Sequence, residues 1–178
     1  MKYIQLFLSM LIIFIINNIG AHNMSNAHFK SKKISRTETI VCKENIDKVF
    51  PLFGAFEERK WAEGWELKLI YPEEEKIEEG TTFKTEGNEE EMEYLWRVVK
   101  YYPENYLIQY LVSTENRFWT ITVKCNSEKE NETLASITYT FIGLNEKGNR
   151  INEEHLYRMY KNKLKDWEEE LNIYLDKK

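Results

Sequence analysis

Large aromatic side chains are the residues of this sequence most suited to chemistry. Tyrosine and tryptophan each join an apolar ring to one hydroxyl or indole N–H group, which suits a pocket for a mostly hydrophobic molecule. The chain is rich in such residues, with 11 Tyr, 9 Phe and 5 Trp. Six rings fall at alternate positions of predicted strands, in phase with the apolar face: Trp65, Tyr94, Trp96, Tyr110, Trp119 and Tyr139.

These rings either pack a core or line a cavity. Core packing explains each ring taken singly, but so many hydroxyl and indole N–H groups are difficult to satisfy in a dry interior. We therefore interpret the group, together with Phe83, as the lining of a ligand cavity. Trp61 and Trp65 flank a turn at Gly64 and are expected to border its entrance.

Arg117 is a further candidate for ligand binding. It begins an apolar, aromatic strand, and a buried arginine requires a carboxylate, a phosphate or another anion as its partner. Arg97 shares its strand face with Glu93 and Leu95, which indicates the outer surface of the sheet.

The sequence lacks recognisable catalytic, metal-binding and cofactor-binding motifs. Its histidines, His22, His28 and His155, are scattered, and we expect His155 to be exposed in the first turn of the last helix. The acidic runs at 73–79 and 89–93 lack the spacing of a calcium loop and are interpreted as solvated loops. No catalytic residue, metal site or cofactor is therefore predicted.

The positions of the apolar residues predict the elements that carry these side chains. A strand at 37–43 precedes a helix capped by Asn45, which Pro51 and Gly54 interrupt. Alternation predicts strands at 65–71, 81–85, 92–98, 106–112, 117–125 and 134–141. A single long amphipathic helix is predicted from Asn152 to Lys178.

Several pieces of the chain resemble a known superfamily in the same order. They are VFPLFG at 49–54, KWAEGW at 60–65, LIYP at 69–72, TTFKT at 81–85, WRVVKYYP at 96–103 and ITYTFIGLNEKGN at 137–149. From 35 to 174 the chain is similar to the START-like superfamily (SRPBCC), which includes polyketide cyclases and the birch-pollen allergen. The resemblance implies an α+β helix-grip fold, in which a curved antiparallel sheet of about six or seven strands wraps around a long C-terminal helix.

The resemblance places Arg117 near the mouth of the cavity but leaves the function open, because this fold hosts binding proteins, carriers, cyclases and co-chaperones. We expect non-catalytic binding or transport of a small hydrophobic ligand, such as a lipid, an isoprenoid or a polyketide-like molecule. One alternative is a cyclase- or dehydratase-type enzyme, which requires an acid–base pair facing the cavity. Another is a co-chaperone-like interaction module that uses the outer sheet surface.

The length and net charge of the chain limit its domain organisation and its possible binding partners. The 178 residues suit one domain, here 36–178, and a net charge of −5 argues against nucleic-acid binding. Residues 1–21 have the pattern of a signal peptide or N-terminal anchor, followed by a flexible linker at 22–35. The protein is expected to be exported if this leader is genuine, with a membrane contact only if it is not cleaved. A start at Met24 predicts a cytoplasmic protein instead.

The two cysteines are expected to be free thiols. In the implied architecture the first strand pairs with the last, so Cys42 and Cys125 lie two strands apart, at roughly 9–10 Å. A disulfide requires Cα atoms within about 7 Å. Free thiols modestly favour a reducing compartment and the start at Met24.

Overall fold

A computed structural model describes residues 29–88 and 90–177 of the chain. The leader at 1–21, Met24 and most of the expected linker lie outside these residues. Strand and helix bounds, in chain order, are β1 (Lys33–Cys42), α1 (Ile46–Val49), β2 (Lys68–Tyr71), β3 (Thr82–Asn88), β4 (Glu91–Tyr102), β5 (Leu107–Ser113), β6 (Arg117–Lys129), β7 (Glu132–Gly143), α2 (Glu146–Tyr160) and α3 (Lys165–Leu175). Short 3₁₀-helices occupy Phe50–Phe53, Glu58–Lys60 and Pro103–Asn105.

The seven strands form one antiparallel sheet in the order β1-β7-β6-β5-β4-β3-β2. Buried and less buried residues alternate strictly along β5 and β7, as expected for a sheet with one covered face. The buried face carries the core, which the helices and the 50–65 segment cover. The predicted helix-grip α+β fold is confirmed.

The terminal helix differs from the prediction in its start and in its continuity. It begins at Glu146, where the Asn145 side chain accepts a hydrogen bond from the Gly148 backbone N–H at 2.9 Å. It is also divided, because Lys163 and Leu164 have positive φ angles of 58° and 54°. The apolar spacing of Tyr160, Leu164 and Leu171 continues across this break, so the periodicity predicted one helix where there are two.

Two strand ends also differ from the prediction. Strand β1 begins at Lys33, within the segment that we expected to be a linker, and β2 excludes Trp65. In β4 the alternation is interrupted, so Met92 is 91% exposed whereas Glu91 is buried. Burial of Glu91 in place of Met92 is accounted for by its ion pair with the buried Arg117.

Cys42 and Cys125 are both buried free thiols, as predicted. They lie on β1 and β6, with β7 between these strands. Burial raises the pKa of each thiol to about 12, so neither is a reactive thiolate near neutral pH. Within the described residues, the helices are all too short or too polar to cross a bilayer.

Candidate functional site

A cavity lies over the middle of the sheet, and its floor is one row of cross-strand neighbours. Tyr110 of β5 is opposite Ile121 of β6, which is opposite Tyr139 of β7. Val123 and Trp96 complete the floor on either side of this row. The strand period of two places all five side chains on the covered face.

The wall of the cavity comes from the chain between α1 and β2. Residues on this wall are Phe53, Glu58, Trp61, Ala62 and Trp65. The indole N–H of Trp61 donates to the Leu52 carbonyl at 2.8 Å, and that of Trp65 donates to the Ala55 carbonyl at 2.7 Å. Both rings are therefore fixed by the backbone of the same segment.

The floor is attached to this wall by a further hydrogen bond. The Tyr110 hydroxyl donates to the Phe53 carbonyl at 2.9 Å, and the Trp96 indole N–H donates to Thr85 Oγ1 at 3.0 Å. Many of the hydroxyl and indole N–H groups that we expected to lack partners in a dry interior are thus hydrogen-bonded within the protein. These bonds position the rings and leave their apolar surfaces for the cavity.

Helix α3 closes the remaining side with Trp167 and Glu170. The rings of Trp167 and Trp61 meet edge to face, with centroids 5.5 Å apart. Tyr110 and Tyr139 on the floor are at most 5% exposed, whereas Glu170 is exposed. The cavity therefore opens to solvent between the wall segment and α3.

The volume of the cavity is about 210 Å³. An apolar protein cavity of roughly 150 Å³ holds one benzene molecule. Pockets for drug-sized ligands are larger, at roughly 300–1,000 Å³. The space therefore suits a molecule of about one ring with a short substituent.

Glu58 is the charged group on the wall of this apolar space. The residue as a whole is half-buried, and desolvation of its carboxyl group raises the pKa to about 8. Within the described part of the chain, this carboxyl group has no hydrogen bond or ion pair. The same 3₁₀-helix carries Arg59 and Lys60, but these side chains pair with Glu75 and Glu57.

Two tyrosines face this carboxyl group from the floor. Burial, reinforced by the nearby Glu58 charge, raises the pKa of Tyr110 and of Tyr139 well above the ordinary value. Both hydroxyls are therefore neutral at physiological pH. The Tyr139 hydroxyl has no hydrogen-bond partner among the described residues, although Tyr139 is only 5% exposed.

Of the nine residues proposed from the sequence, the structure places five on the cavity: Trp61, Trp65, Trp96, Tyr110 and Tyr139. Phe83 lies behind the lining and stacks on Trp96, with centroids 5.6 Å apart. Tyr94 and Trp119 contact each other edge to face at 5.3 Å, outside the lining.

Arg117 lies in a separate buried cluster rather than on the cavity. It is fully buried, and its Nε donates to Glu91 Oε2 at 2.7 Å. Its Nη1 lies 3.4 Å from Asn152 Oδ1 and 3.0 Å from His155 Nδ1. The anion that a buried arginine requires is thus supplied by the chain itself.

His155 and Glu91 differ from their sequence-based interpretations. His155 lies inside α2 and is partly buried, and Glu91 belongs to β4 rather than to a solvated loop. Because a guanidinium group can only donate, a neutral His155 ring accepts the Arg117 hydrogen bond at Nδ1. Burial first, and then the Arg117 charge, lowers the pKa of His155 to about 4.

The sequence did not reveal Glu58, the lining carboxyl group whose pKa burial raises to about 8. A three-residue 3₁₀-helix is too short for periodicity to show which side chain faces inward. Trp167 was also absent from the nine predicted residues, although it belongs to the apolar stripe of the terminal helix. Among residues 29–88 and 90–177, no group of three or more acidic, His or Cys side chains is arranged to hold a metal ion.

Comparison with known proteins identifies the fold. No protein-family model matches the sequence, and no curated protein is significantly similar to it. Norcoclaurine synthase from Thalictrum flavum, solved with dopamine and hydroxybenzaldehyde, is similar in structure, with a TM-score of 0.62 and 10% identity over 83% of this chain and 88% of that one.

Two other solved structures are similar over nearly their whole length. Ara h 8.0201 has a TM-score of 0.60 and 12% identity over 83% of this chain and 100% of that one. The Mll3558 protein from Rhizobium loti has a TM-score of 0.55 and 14% identity over 80% of this chain and 99% of that one. The described chain therefore has the helix-grip fold that these solved structures share.

Proposed function

We propose that the protein binds a small, mostly hydrophobic molecule in the aromatic cavity between the sheet and α3. The observation that carries this proposal is the arrangement of the rings. Seven aromatic residues line one space of about 210 Å³, and the polar atoms of Trp61, Trp65 and Tyr110 are held by backbone carbonyls. A fixed apolar lining with few free polar groups is typical of ligand sites.

The volume narrows the range of ligands. From the sequence we expected a lipid, an isoprenoid or a polyketide-like molecule. A space of about 210 Å³ is below the range of drug-sized pockets and above the roughly 150 Å³ that holds benzene. We therefore favour molecules of about one ring with a short substituent.

A variant that blocks the cavity tests this proposal. Ala62 lies on the lining and is half-buried, so Ala62→Trp places a large ring in the space. The neighbouring Glu63 is exposed and lies off this lining, and Glu63→Trp is the matched control. Binding of benzyl alcohol is followed by saturation-transfer NMR.

We expect signal for the wild type and for Glu63→Trp, and a loss of signal for Ala62→Trp. Equal signal from Ala62→Trp and the wild type would place the ligand elsewhere and overturn the proposal. Absence of signal from the wild type at millimolar benzyl alcohol would overturn it as well.

Glu58 favours acid–base catalysis of the cyclase or dehydratase type as a second candidate function. A general acid or base is most effective when its pKa lies near the operating pH, and burial brings that of Glu58 to about 8. Conversion of a one-ring probe by the wild type but not by Glu58→Gln supports this candidate. Recovery of every probe unchanged from the wild type opposes it.

The outer sheet surface gives less support to an interaction module. Strands β1, β7, β6 and β5 carry hydroxyl and amide side chains that bond to each other across strands, including Thr37 with Thr138 and Gln109 with Thr122. Such polar rows differ from the contiguous apolar patch typical of a protein-docking surface.

A further inference from the structure

The charges on the cavity lining are of one sign. Among the described residues, Glu58 and Glu170 are the charged side chains of the lining, and neither Lys nor Arg is present. The cations beside Glu58 are directed elsewhere, since Arg59 Nη2 lies 2.8 Å from Glu75 Oε1 and Lys60 pairs with Glu57. A positive guest therefore meets carboxyl groups that can ionise to become its counter-charge, whereas a negative guest meets no cation on the lining.

Four polar groups of the lining lack a hydrogen bond among the described residues: the Glu58 and Glu170 carboxyl groups, the Trp167 indole N–H and the Tyr139 hydroxyl. Glu170 is exposed, so the hydrogen-bond acceptors inside the cavity are the Glu58 carboxyl group and the hydroxyl of Tyr139, a residue only 5% exposed. The wall and floor groups around them are satisfied, as the bonds of Trp61, Trp65 and Tyr110 show. Desolvated polar groups without partners are costly, so these two are available for a ligand.

The tryptophan rings are arranged as walls that meet at steep angles. Trp65 and Trp96 are 5.4 Å apart with an interplanar angle of 88°, and Trp61 and Trp167 are 5.5 Å apart at 65°. Rings at these angles do not cover each other's faces, although Phe83 stacks on one face of Trp96. Tryptophan faces attract ammonium groups more strongly than other aromatic side chains do.

We propose that the ligand of this cavity is a small aromatic or apolar amine, whose ammonium group pairs with Glu58 and lies against the tryptophan rings. The inference rests on the proposed function and adds the charge of the ligand to it. Tyr139 supplies a hydroxyl oxygen that accepts a second hydrogen bond from the ammonium group. The apolar part of the ligand lies over Ile121 and Val123 on the floor.

Binding of an ammonium ion is then coupled to proton release. Burial keeps the Glu58 carboxyl group protonated near neutral pH in the empty cavity, because its pKa is about 8. The groups that face it are Tyr110 and Tyr139 from the sheet, which stay neutral, and Glu170 from α3 lines the same space. An ammonium ion stabilises the carboxylate, so its binding expels up to about one proton, and its affinity rises with pH towards about pH 8.

Isothermal titration calorimetry with three ring-matched probes tests this inference. The probes are benzylamine, benzyl alcohol and benzoate, and the proteins are the wild type, Glu58→Gln and the exposed control Glu63→Gln. Titrations at about pH 6.5 and about pH 8, each in two buffers of different ionisation enthalpy, report proton release. Thermal unfolding of each variant verifies that it is folded.

We expect the wild type and Glu63→Gln to bind benzylamine at least about tenfold more tightly than benzyl alcohol at pH 8, and benzoate least tightly. In Glu58→Gln the ratio of the affinities for benzylamine and benzyl alcohol falls towards one. Proton release on benzylamine binding disappears. The inference is overturned if benzyl alcohol or benzoate binds the wild type as tightly as benzylamine, or if Glu58→Gln keeps the preference. If none of the three probes binds the wild type, the proposed function fails and the inference fails with it.

Discussion

At the scale of single residues, burial of the Glu58 carboxyl group makes stability depend on pH. The folded-state pKa of about 8 is raised from the model-compound value of 4.5, so the folded protein holds this proton where the unfolded chain has lost it. The contribution of this bound proton to the free energy of unfolding is fully present below about pH 4.5 and is lost as pH rises towards 8.

The variant Glu58→Gln isolates this contribution, because glutamine resembles the protonated acid. We expect the free energy of unfolding of Glu58→Gln to increase relative to the wild type between pH 5 and pH 8, measured by urea denaturation. His155 acts in the opposite direction, since its lowered pKa of about 4 costs stability as pH falls below 6.5, but it is present in both proteins. If the difference in free energy of unfolding between Glu58→Gln and the wild type does not vary with pH, the Glu58 carboxyl group does not have a raised pKa in the folded protein.

The buried ion pair of Arg117 and Glu91 gives a second prediction. Both side chains are at most 1% exposed, so Glu91→Gln leaves a buried guanidinium group without its counter-charge. Loss of one partner of a buried pair costs roughly 3–5 kcal/mol. Chemical denaturation of Glu91→Gln should show a loss of this size.

Glu90 is the matched control for this experiment. Its carboxylate pairs with Arg150 at the surface, where both side chains are at least one-third exposed. Glu90→Gln should change the free energy of unfolding little, because solvent screens exposed pairs. A similar small effect of both substitutions would show that the Arg117 cluster is hydrated.

The predictability of the site differs from residue to residue for physical reasons. Tyr110 and Tyr139 were identified because strand alternation fixes the face of each side chain. Arg117 was recognised as a candidate, but its partner Glu91 is 26 positions away in an acidic run, so pairing was invisible in the sequence. Glu58 belongs to a segment without a regular period, and only tertiary structure shows that it faces the cavity.

At the scale of elements, the break between α2 and α3 determines how α3 lies against the cavity. Lys163 and Leu164 occupy the left-handed region, and Leu164 is only 1% exposed. A left-handed conformation costs a non-glycine residue roughly 1–2 kcal/mol. Burial of Leu164 accounts for the tolerance of this conformation.

Glycine at position 163 should relieve part of this cost. Lys163 is exposed, so Lys163→Gly removes no packing and should raise the free energy of unfolding by up to about 1 kcal/mol. Lys161 is also exposed but has φ −59° and ψ −41°, so Lys161→Gly should be destabilising by roughly 0.5–1 kcal/mol. Equal signs for the two substitutions, measured by denaturation, would show that the left-handed break does not exist in solution.

The elements themselves were largely predictable, and their exceptions share a cause. Strands β5, β6 and β7 follow simple alternation because each covers one continuous core face. The exceptions occur where a specific tertiary interaction overrides the pattern. Glu91 enters the interior in place of Met92, and the left-handed turn at Lys163 and Leu164 interrupts a continuous apolar stripe.

At the scale of the whole molecule, the sheet and the helices enclose the hydrophobic ring cluster and leave one small space within it. The outer face carries rows of polar side chains on β1, β7, β6 and β5, and the cavity opens between the wall segment and α3. A ligand must therefore enter near Glu58 and Glu170 and reach the floor at Tyr139. The proposed ligand of this space is a one-ring molecule.

Methyl NMR of Ile121 and Val123 during titration with benzylamine tests this claim most directly, because both side chains form the cavity floor. Leu175 of α3 lies on a separate groove away from this lining and serves as the reference. We expect saturable shifts at Ile121 and Val123, with Leu175 unchanged. Shifts at Leu175 with an unchanged floor, or no saturable shift at any of the three residues, would contradict it.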